Sequence, residues 1–124
     1  MRRRVLVTLM LAGTILSACA ADAGVTTGEG TIDMDHLVFQ TDDHRIPVGG
    51  TITFANTASR ALHVLVVGKD AQPRLEPGAP SFGGASGHRS EVGDRWTTPP
   101  WNTPGTFSVT CTLHPSMNLK VVVG

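Results

Sequence analysis

The sequence predicts an all-β protein, a two-sheet antiparallel sandwich with Greek-key connections. Apolar and β-branched residues occur in short runs or alternate with polar residues, as is typical of strands. The 14 Gly and 8 Pro residues separate these runs with turn signals. No segment combines good helix formers with helical periodicity, so we expect no long helix.

The N-terminal segment, residues 1–18, is predicted to be an export signal. Three arginines precede the apolar residues 5–16, a run shorter than the roughly 20 residues that span a bilayer. Residues 16–19 (LSAC) then resemble the lipobox of bacterial lipoproteins. The resemblance implies cleavage before Cys19 and lipid on that residue. We expect an exported protein, anchored by lipid to the cell membrane or outer membrane and facing the periplasm or exterior. The alternative is an uncleaved anchor.

The mature chain divides into two parts. Residues 19–31 are small and polar and predict a flexible tether, whereas residues 32–124 predict one domain. Without the three signal arginines, seven Lys and Arg remain against ten Asp and Glu, a formal charge of about −3. No basic stripe with interleaved aromatic residues occurs, so we expect no nucleic-acid partner. We expect a monomer.

The predicted strands follow from local patterns. Residues 51–54 (TITF) alternate after a turn at 47–50, residues 61–67 (ALHVLVV) form a buried run, residues 105–111 (GTFSVTC) alternate again, and residues 119–123 end the chain with three valines. Residues 68–90 contain five Gly, three Pro and three Ser, which predicts a long surface loop with a short helical turn at most.

One motif carries the chemistry of a metal site. The chain has two cysteines, and with Cys19 blocked by lipid Cys111 would be left unpaired in an oxidising compartment. His114 and Met117 follow at spacings of three residues. Thiolate and thioether favour copper(I), and imidazole suits both copper states. Two His and one Cys with a weak axial Met make a known electron-transfer set. The alternative for Met117 is a core-filling role.

A second histidine must come from elsewhere in the chain. His63 lies in the apolar run 61–67, where a polar ring needs a partner. We interpret the other histidines, His36, His44 and His88, as surface residues. If one of them replaced a ligand, we would expect it to be His88, which lies in the long segment 68–90.

These residues resemble the cupredoxin, or blue-copper, family. The Cys-x2-His-x2-Met loop with its His-Pro step is similar to the ligand loop of amicyanin, and the likeness extends over residues 32–124. It implies a cupredoxin-like sandwich that binds one copper ion, Cu(II)/Cu(I), through His63, Cys111, His114 and Met117.

Two departures from the family pattern affect this site. Many members have Asn directly after the first His, where it ties the ligand loops together. Here Val64 stands there, so this brace is either absent or supplied by another residue, for which Asn56 and Ser59 are the candidates. Amicyanin has Pro where this chain has Leu113. If the Leu113 amide points at the sulfur of Cys111, Leu113→Pro should lower the reduction potential.

The sequence favours a one-electron carrier over other functions. The resemblance implies an electron path through His114, with Leu113 and Pro115 as an apolar docking patch for a transient redox partner protein. The runner-up is a copper carrier or storage lipoprotein, which the scarcity of methionine disfavours. A zinc site or a metal-free binding sandwich is a third reading. We expect no enzyme activity, since the protein would fill all four metal positions.

Overall fold

A computed structural model of the protein describes residues 25–27 and 30–124, and it contains two packed β-sheets. The predicted signal segment 1–18 and Cys19 lie outside these residues. Within the described part, the only helical element is a 3₁₀ turn at Gly84–Ser86. No helix there is long and apolar enough to span a membrane.

The larger sheet has seven strands, and the predicted metal-binding residues lie on it. Its strands are β1 (Val25–Thr27), β4 (Asp43–Ile46), β6 (His63–Lys69), β7 (Gln72–Pro73), β8 (His88–Ser90), β10 (Gly105–Cys111) and β11 (His114–Val123). They are arranged in the order β1-β4-β11-β10-β6-β7, and β8 also pairs with β6, along the residues that precede those paired with β7.

The smaller sheet contains four strands, β2 (Gly30–Asp35), β3 (Val38–Phe39), β5 (Ile52–Asn56) and β9 (Arg95–Thr97). They are arranged in the order β3-β2-β5-β9. The predicted all-β sandwich is confirmed, but its sheets are mixed and not purely antiparallel, since β1–β4, β4–β11 and β2–β5 pair in parallel. The chain crosses between sheets after β3 and again before β5, and such crossovers are what allow strands of one sheet to run in the same direction.

The core between the sheets is strongly aromatic. Phe54 contacts the rings of Phe39, Phe82 and Trp96 at centroid distances of 5.9, 6.1 and 6.3 Å. The fully buried Trp101 joins Phe82 to Phe107. Offset and edge-to-face aromatic pairs stabilise a core beyond the area that they bury.

Regular structure begins earlier than the sequence predicted. Residues 25–27 pair in parallel with β4, and Gly30 and Thr31 already belong to β2. The predicted flexible tether therefore differs from the structure over these residues, because the β-branched run of residues 25–27 (VTT) supplies a strand to the free edge of β4.

The segment 68–90 is also more ordered than a surface loop. Asp70 and Ala71 have φ values of 51° and 62°, which close a two-residue hairpin between β6 and β7. Gly87, with φ of 73°, brings β8 so close to β6 that a Cβ there would lie 2.7 Å from the Leu65 carbonyl oxygen. Phe82 then inserts into the core. The prediction of a surface loop rested on composition, which carries no information about these tertiary contacts.

The histidines outside the motif differ in burial. His36 is exposed at the β2–β3 turn, as predicted. His44 is buried, which contradicts its prediction as a surface residue: it lies on β4 between β1 and β11, and its side chain points inward like that of Ile46. His88 is half-buried, and its ring stacks on Trp96 at 4.0 Å.

Candidate metal centre

Three neighbouring strands bring the candidate ligands to one end of the larger sheet. His63 begins β6, Cys111 ends β10 and His114 begins β11. Cys111 pairs with Leu65 on β6 and with His114 on β11. Antiparallel pairing of β6 with β10 thus brings His63 and Cys111 together, although they lie far apart in the sequence.

The potential ligand atoms of His63, Cys111 and His114 all lie within 4.8 Å of one another. Cys111 Sγ is 3.4 Å from His114 Nδ1, and the two imidazole rings are 5.2 Å apart at an interplanar angle of 72°. A single small ion between them would reach all three. Within the described residues, this is the only such cluster of three His, Cys, Asp or Glu residues.

Burial divides the three residues into two environments. His63 and Cys111 are fully buried, whereas His114 is half-buried beside the exposed residues Leu113 and Pro115. Desolvation, and secondly the charge of His114, lower the pKa of His63 below its ordinary value. A neutral imidazole keeps a free lone pair, which is the form that binds a metal.

Met117 lies three residues after His114 on β11 and is fully buried. Its backbone carbonyl accepts a hydrogen bond from Thr110 Oγ1 at 2.7 Å, and Thr110 Oγ1 in turn accepts one from the Ala71 amide. These contacts fix the strand that carries Met117 against β10 and the β6–β7 hairpin.

A backbone bridge ties the two ligand segments together. The Val64 amide donates to Cys111 Sγ at 3.4 Å, and the Thr112 amide donates to the Val64 carbonyl at 2.9 Å. The Leu113 amide makes no hydrogen bond to the sulfur among the described contacts. The sequence hypothesis for Leu113→Pro therefore lacks its premise: Val64, one strand away, supplies the donor to the sulfur.

Asn56 supports the segment that leads to His63. Its Nδ2 donates to the carbonyls of Ala61 and Ser90 at 2.9 and 3.0 Å, and its Oδ1 accepts from the Ala58 amide. Asn56 thus braces the approach to β6 and also β8. Of the two substitutes expected from the sequence, Asn56 makes bracing contacts, although it acts on the chain before His63 and does not link His63 directly to the Cys111 loop.

Both ring nitrogens of His63 are buried and have no hydrogen-bond partner among the described residues. An unpaired buried polar group costs free energy, roughly 1–3 kcal/mol, so its retention calls for an explanation. A metal bond to one nitrogen supplies a partner that the protein itself does not provide. The donor set and this unpaired imidazole together fit a soft or borderline metal ion.

Comparisons with known proteins place the fold. No family model matches the chain, and no curated protein matches it. Solved structures do match, among them the reduced state of an amicyanin mutant, at 22% identity and a TM-score of 0.57, covering 76% of this chain and 80% of that chain. The reduced Cu(I) form of a second amicyanin mutant matches at 21% identity and a TM-score of 0.58, covering 85% and 86%.

A Cu-containing nitrite reductase from Thermus scotoductus SA-01 also matches, at 24% identity and a TM-score of 0.60. The match covers 76% of this chain but 22% of that enzyme chain, so it extends over one part of a longer protein. At these identities the likeness shows the fold alone, and it confirms the cupredoxin-like sandwich that the sequence predicted.

Proposed function

We propose that this protein is a type 1 copper protein that carries single electrons at the outer face of a bacterial membrane. The observation that carries the proposal is the cluster of one buried thiol and two imidazoles within 4.8 Å. Together with Met117, these residues are arranged like a type 1 copper site. Copper would supply a one-electron couple, Cu(II)/Cu(I), at this position.

The donor chemistry favours copper over zinc. His63, Cys111, His114 and Met117 would hold the ion, and a thioether is a soft ligand that suits Cu(I) but adds little for zinc. The copper named in the matching amicyanin and nitrite reductase structures supports the same choice.

The environment of the site suits electron exchange more than substrate turnover. Cys111 and His63 are buried, while the partly exposed His114 is the ligand through which an electron would pass. The flanking side chains of Leu113 and Pro115 are exposed and apolar, which suits a small, transient contact with a redox partner. We propose that the protein is not an enzyme, because all four ligands of the metal would come from the protein and no coordination position would be open to a substrate.

Lipid attachment at Cys19 remains a proposal that rests on the sequence pattern of residues 16–19. It would hold the domain at a membrane surface and confine its electron exchange to partners at that surface. Mass spectrometry of the protein purified from membranes tests it. The expected mass excess is that of a lipid on the N-terminal peptide, and an unmodified Cys19 thiol would contradict it.

Leu113→Asp tests the electron-transfer face. In the copper-loaded protein, electron self-exchange between two copies requires this face to approach its equivalent, so a new carboxylate at Leu113 should slow exchange at least about tenfold through charge repulsion. The visible spectrum should stay unchanged, because Leu113 is half exposed and its side chain is not a proposed ligand. Line broadening in proton NMR measures the rate.

The matched control is Leu75→Asp, which places the same charge at a residue that is 94% exposed and outside the ligand segments. It should leave self-exchange nearly unchanged. Equal rates in both variants would contradict the proposed face. Copper release to a Cu(I) chelator faster than electron exchange would instead favour the copper-carrier function.

A further inference from the structure

Two buried polar side chains that find no hydrogen-bond partner in the described part of the chain occupy opposite positions on β6 and β8, at the candidate metal centre. The hydroxyl of Ser90 has no hydrogen-bond partner among the described residues, and neither has the imidazole of His63. Ser90 on β8 and His63 on β6 are direct partners in the antiparallel pairing. Both are essentially fully buried.

Strand geometry places these side chains on the same face of the sheet. Directly opposite residues in an antiparallel pair have Cβ atoms about 4.5–5.5 Å apart and point to the same side. The next pair, Val64 and Arg89, is more exposed than His63 and Ser90, as the alternation of side chains requires. The hydroxyl of Ser90 therefore faces the region of the His63 ring.

The backbone of Ser90 is fixed in this position. Its carbonyl accepts a hydrogen bond from Asn56 Nδ2 at 3.0 Å. The other Asn56 contacts, to Ala61 and Ala58, occupy the rest of that amide. Asn56 is thus committed to the backbone, and Ser90 supplies the unpaired side-chain oxygen opposite His63.

We infer that Ser90 is a positioning residue for the metal centre: its hydroxyl accepts a hydrogen bond from the ring N–H of His63 that does not bind the metal. This inference rests on the proposed function, in that His63 must be a ligand. A ligating histidine almost always donates its second ring nitrogen to a neighbouring acceptor, which fixes the tautomer and the orientation of the ring. A small rotation of the serine side chain about its Cα–Cβ bond changes where the hydroxyl points, without moving the strand.

This role predicts different effects of Ser90→Ala on the metal-free protein and on its binding of metal. Without metal, Ser90→Ala removes an unpaired buried hydroxyl, so the free energy of unfolding in urea should stay unchanged or rise. With metal, the same substitution removes the acceptor for His63. The affinity for Cu(I), measured by competition with a chromogenic chelator, should fall about 10- to 100-fold.

Two further variants complete the experiment on the purified full-length protein. Ser90→Thr retains a hydroxyl at the same position and should restore the Cu(I) affinity to within a few-fold of the wild type. Ser108→Ala, a serine on β10 that pairs with Lys120, should leave the Cu(I) affinity unchanged.

Proton NMR of the Cu(I)-loaded protein reports directly on the hydrogen bond. The ring N–H of His63 should exchange slowly with solvent in the wild type and measurably faster in Ser90→Ala. Unchanged Cu(I) affinity and unchanged exchange in Ser90→Ala would overturn the inference while leaving copper binding intact. A loss of metal-free stability as large as the loss of affinity would also overturn it, by making Ser90 a structural residue. Failure of the wild type to bind Cu(I) would overturn the proposed function itself, and the inference with it.

Discussion

At the scale of single residues, the surroundings of the Cys111 sulfur come from residues on the neighbouring strands β6 and β11. It is fully buried, accepts a hydrogen bond from the Val64 amide and lies 3.4 Å from His114 Nδ1. A hydrogen bond to sulfur withdraws electron density, and such contacts set the potential of a thiolate–metal site. Cys111 and His114 could be recognised from the motif, but the donor from Val64 could not, because strand register creates it.

Asn56 is expected to matter for stability as well as for the ligand segment. Asn56→Ala would remove three hydrogen bonds of a buried amide and leave the Ala58 amide and two carbonyls unsatisfied. We expect the metal-free protein to lose about 2–4 kcal/mol of unfolding free energy in urea.

Asn118→Ala is the control for Asn56→Ala. Asn118 also makes several amide hydrogen bonds, to Asp70 and the Pro115 carbonyl, but at exposed groups that water can satisfy. This variant should lose less than about 1 kcal/mol. Equal losses of unfolding free energy in the two variants would show that the buried hydrogen bonds of Asn56 stabilise the protein no more than the exposed ones of Asn118.

His88 should make the stability of the domain sensitive to acid. Burial lowers the pKa of His88, with Asp94 opposing the shift. The unfolded chain, with a histidine pKa near 6.5, then binds more protons than the folded one, so stability present above about pH 6.5 is lost as the pH falls toward the lowered folded pKa.

His88→Phe keeps a flat ring for stacking on Trp96 and removes the titration. Urea unfolding of the metal-free protein at about pH 7.5 and about pH 5.5 should show a smaller loss of stability on acidification than in the wild type. The other histidines are present in both proteins, so their contributions cancel in the difference. An equal or larger loss in the variant would refute the role of His88.

At the scale of elements, sequence patterns located the central strands well and the irregular segment poorly. Alternation predicted β5 and β10, and the apolar run predicted β6, because these strands have one or both faces in the core. The strands β7 and β8 escaped prediction because they are short and lie in a Gly- and Pro-rich segment. Their pairing with β6 depends on three residues with positive φ, Asp70, Ala71 and Gly87, and composition alone does not indicate which residues of the segment adopt that conformation.

Phe82 is the side chain that anchors this segment to the core. Its ring contacts Phe54, Trp96 and Trp101. Phe82→Ala should destabilise the protein by about 3–5 kcal/mol and increase proteolytic cleavage within residues 74–87.

The control for Phe82→Ala lies in the same segment. Leu75 is almost fully exposed, so Leu75→Ala should change stability by less than about 0.5 kcal/mol and leave the cleavage pattern unaltered. Unaltered proteolysis in Phe82→Ala would mean that strand pairing, and not the aromatic core, holds the segment.

At the scale of the whole molecule, the all-β sandwich follows from composition and pattern, whereas the mixed strand directions do not. The sequence gives no local sign of whether β4 pairs with β11 in parallel or antiparallel, since both directions bury the same residues, such as Ile46 and Val121. The spatial convergence of His63 with Cys111 and His114 likewise depends on sheet order. The motif indicated which residues to expect together, and the resemblance to cupredoxins indicated the partner strand.

The binding of copper by Cys111 is tested most directly by the visible and electron paramagnetic resonance spectra of the purified protein after one equivalent of Cu(II). We expect an intense blue thiolate-to-copper charge-transfer band and a narrow copper hyperfine splitting, both absent from Cys111→Ala. That variant retains Cys19 and all five histidines, so it isolates the contribution of the Cys111 thiol. A pale spectrum with ordinary hyperfine splitting, identical in the two proteins, would contradict the proposed centre.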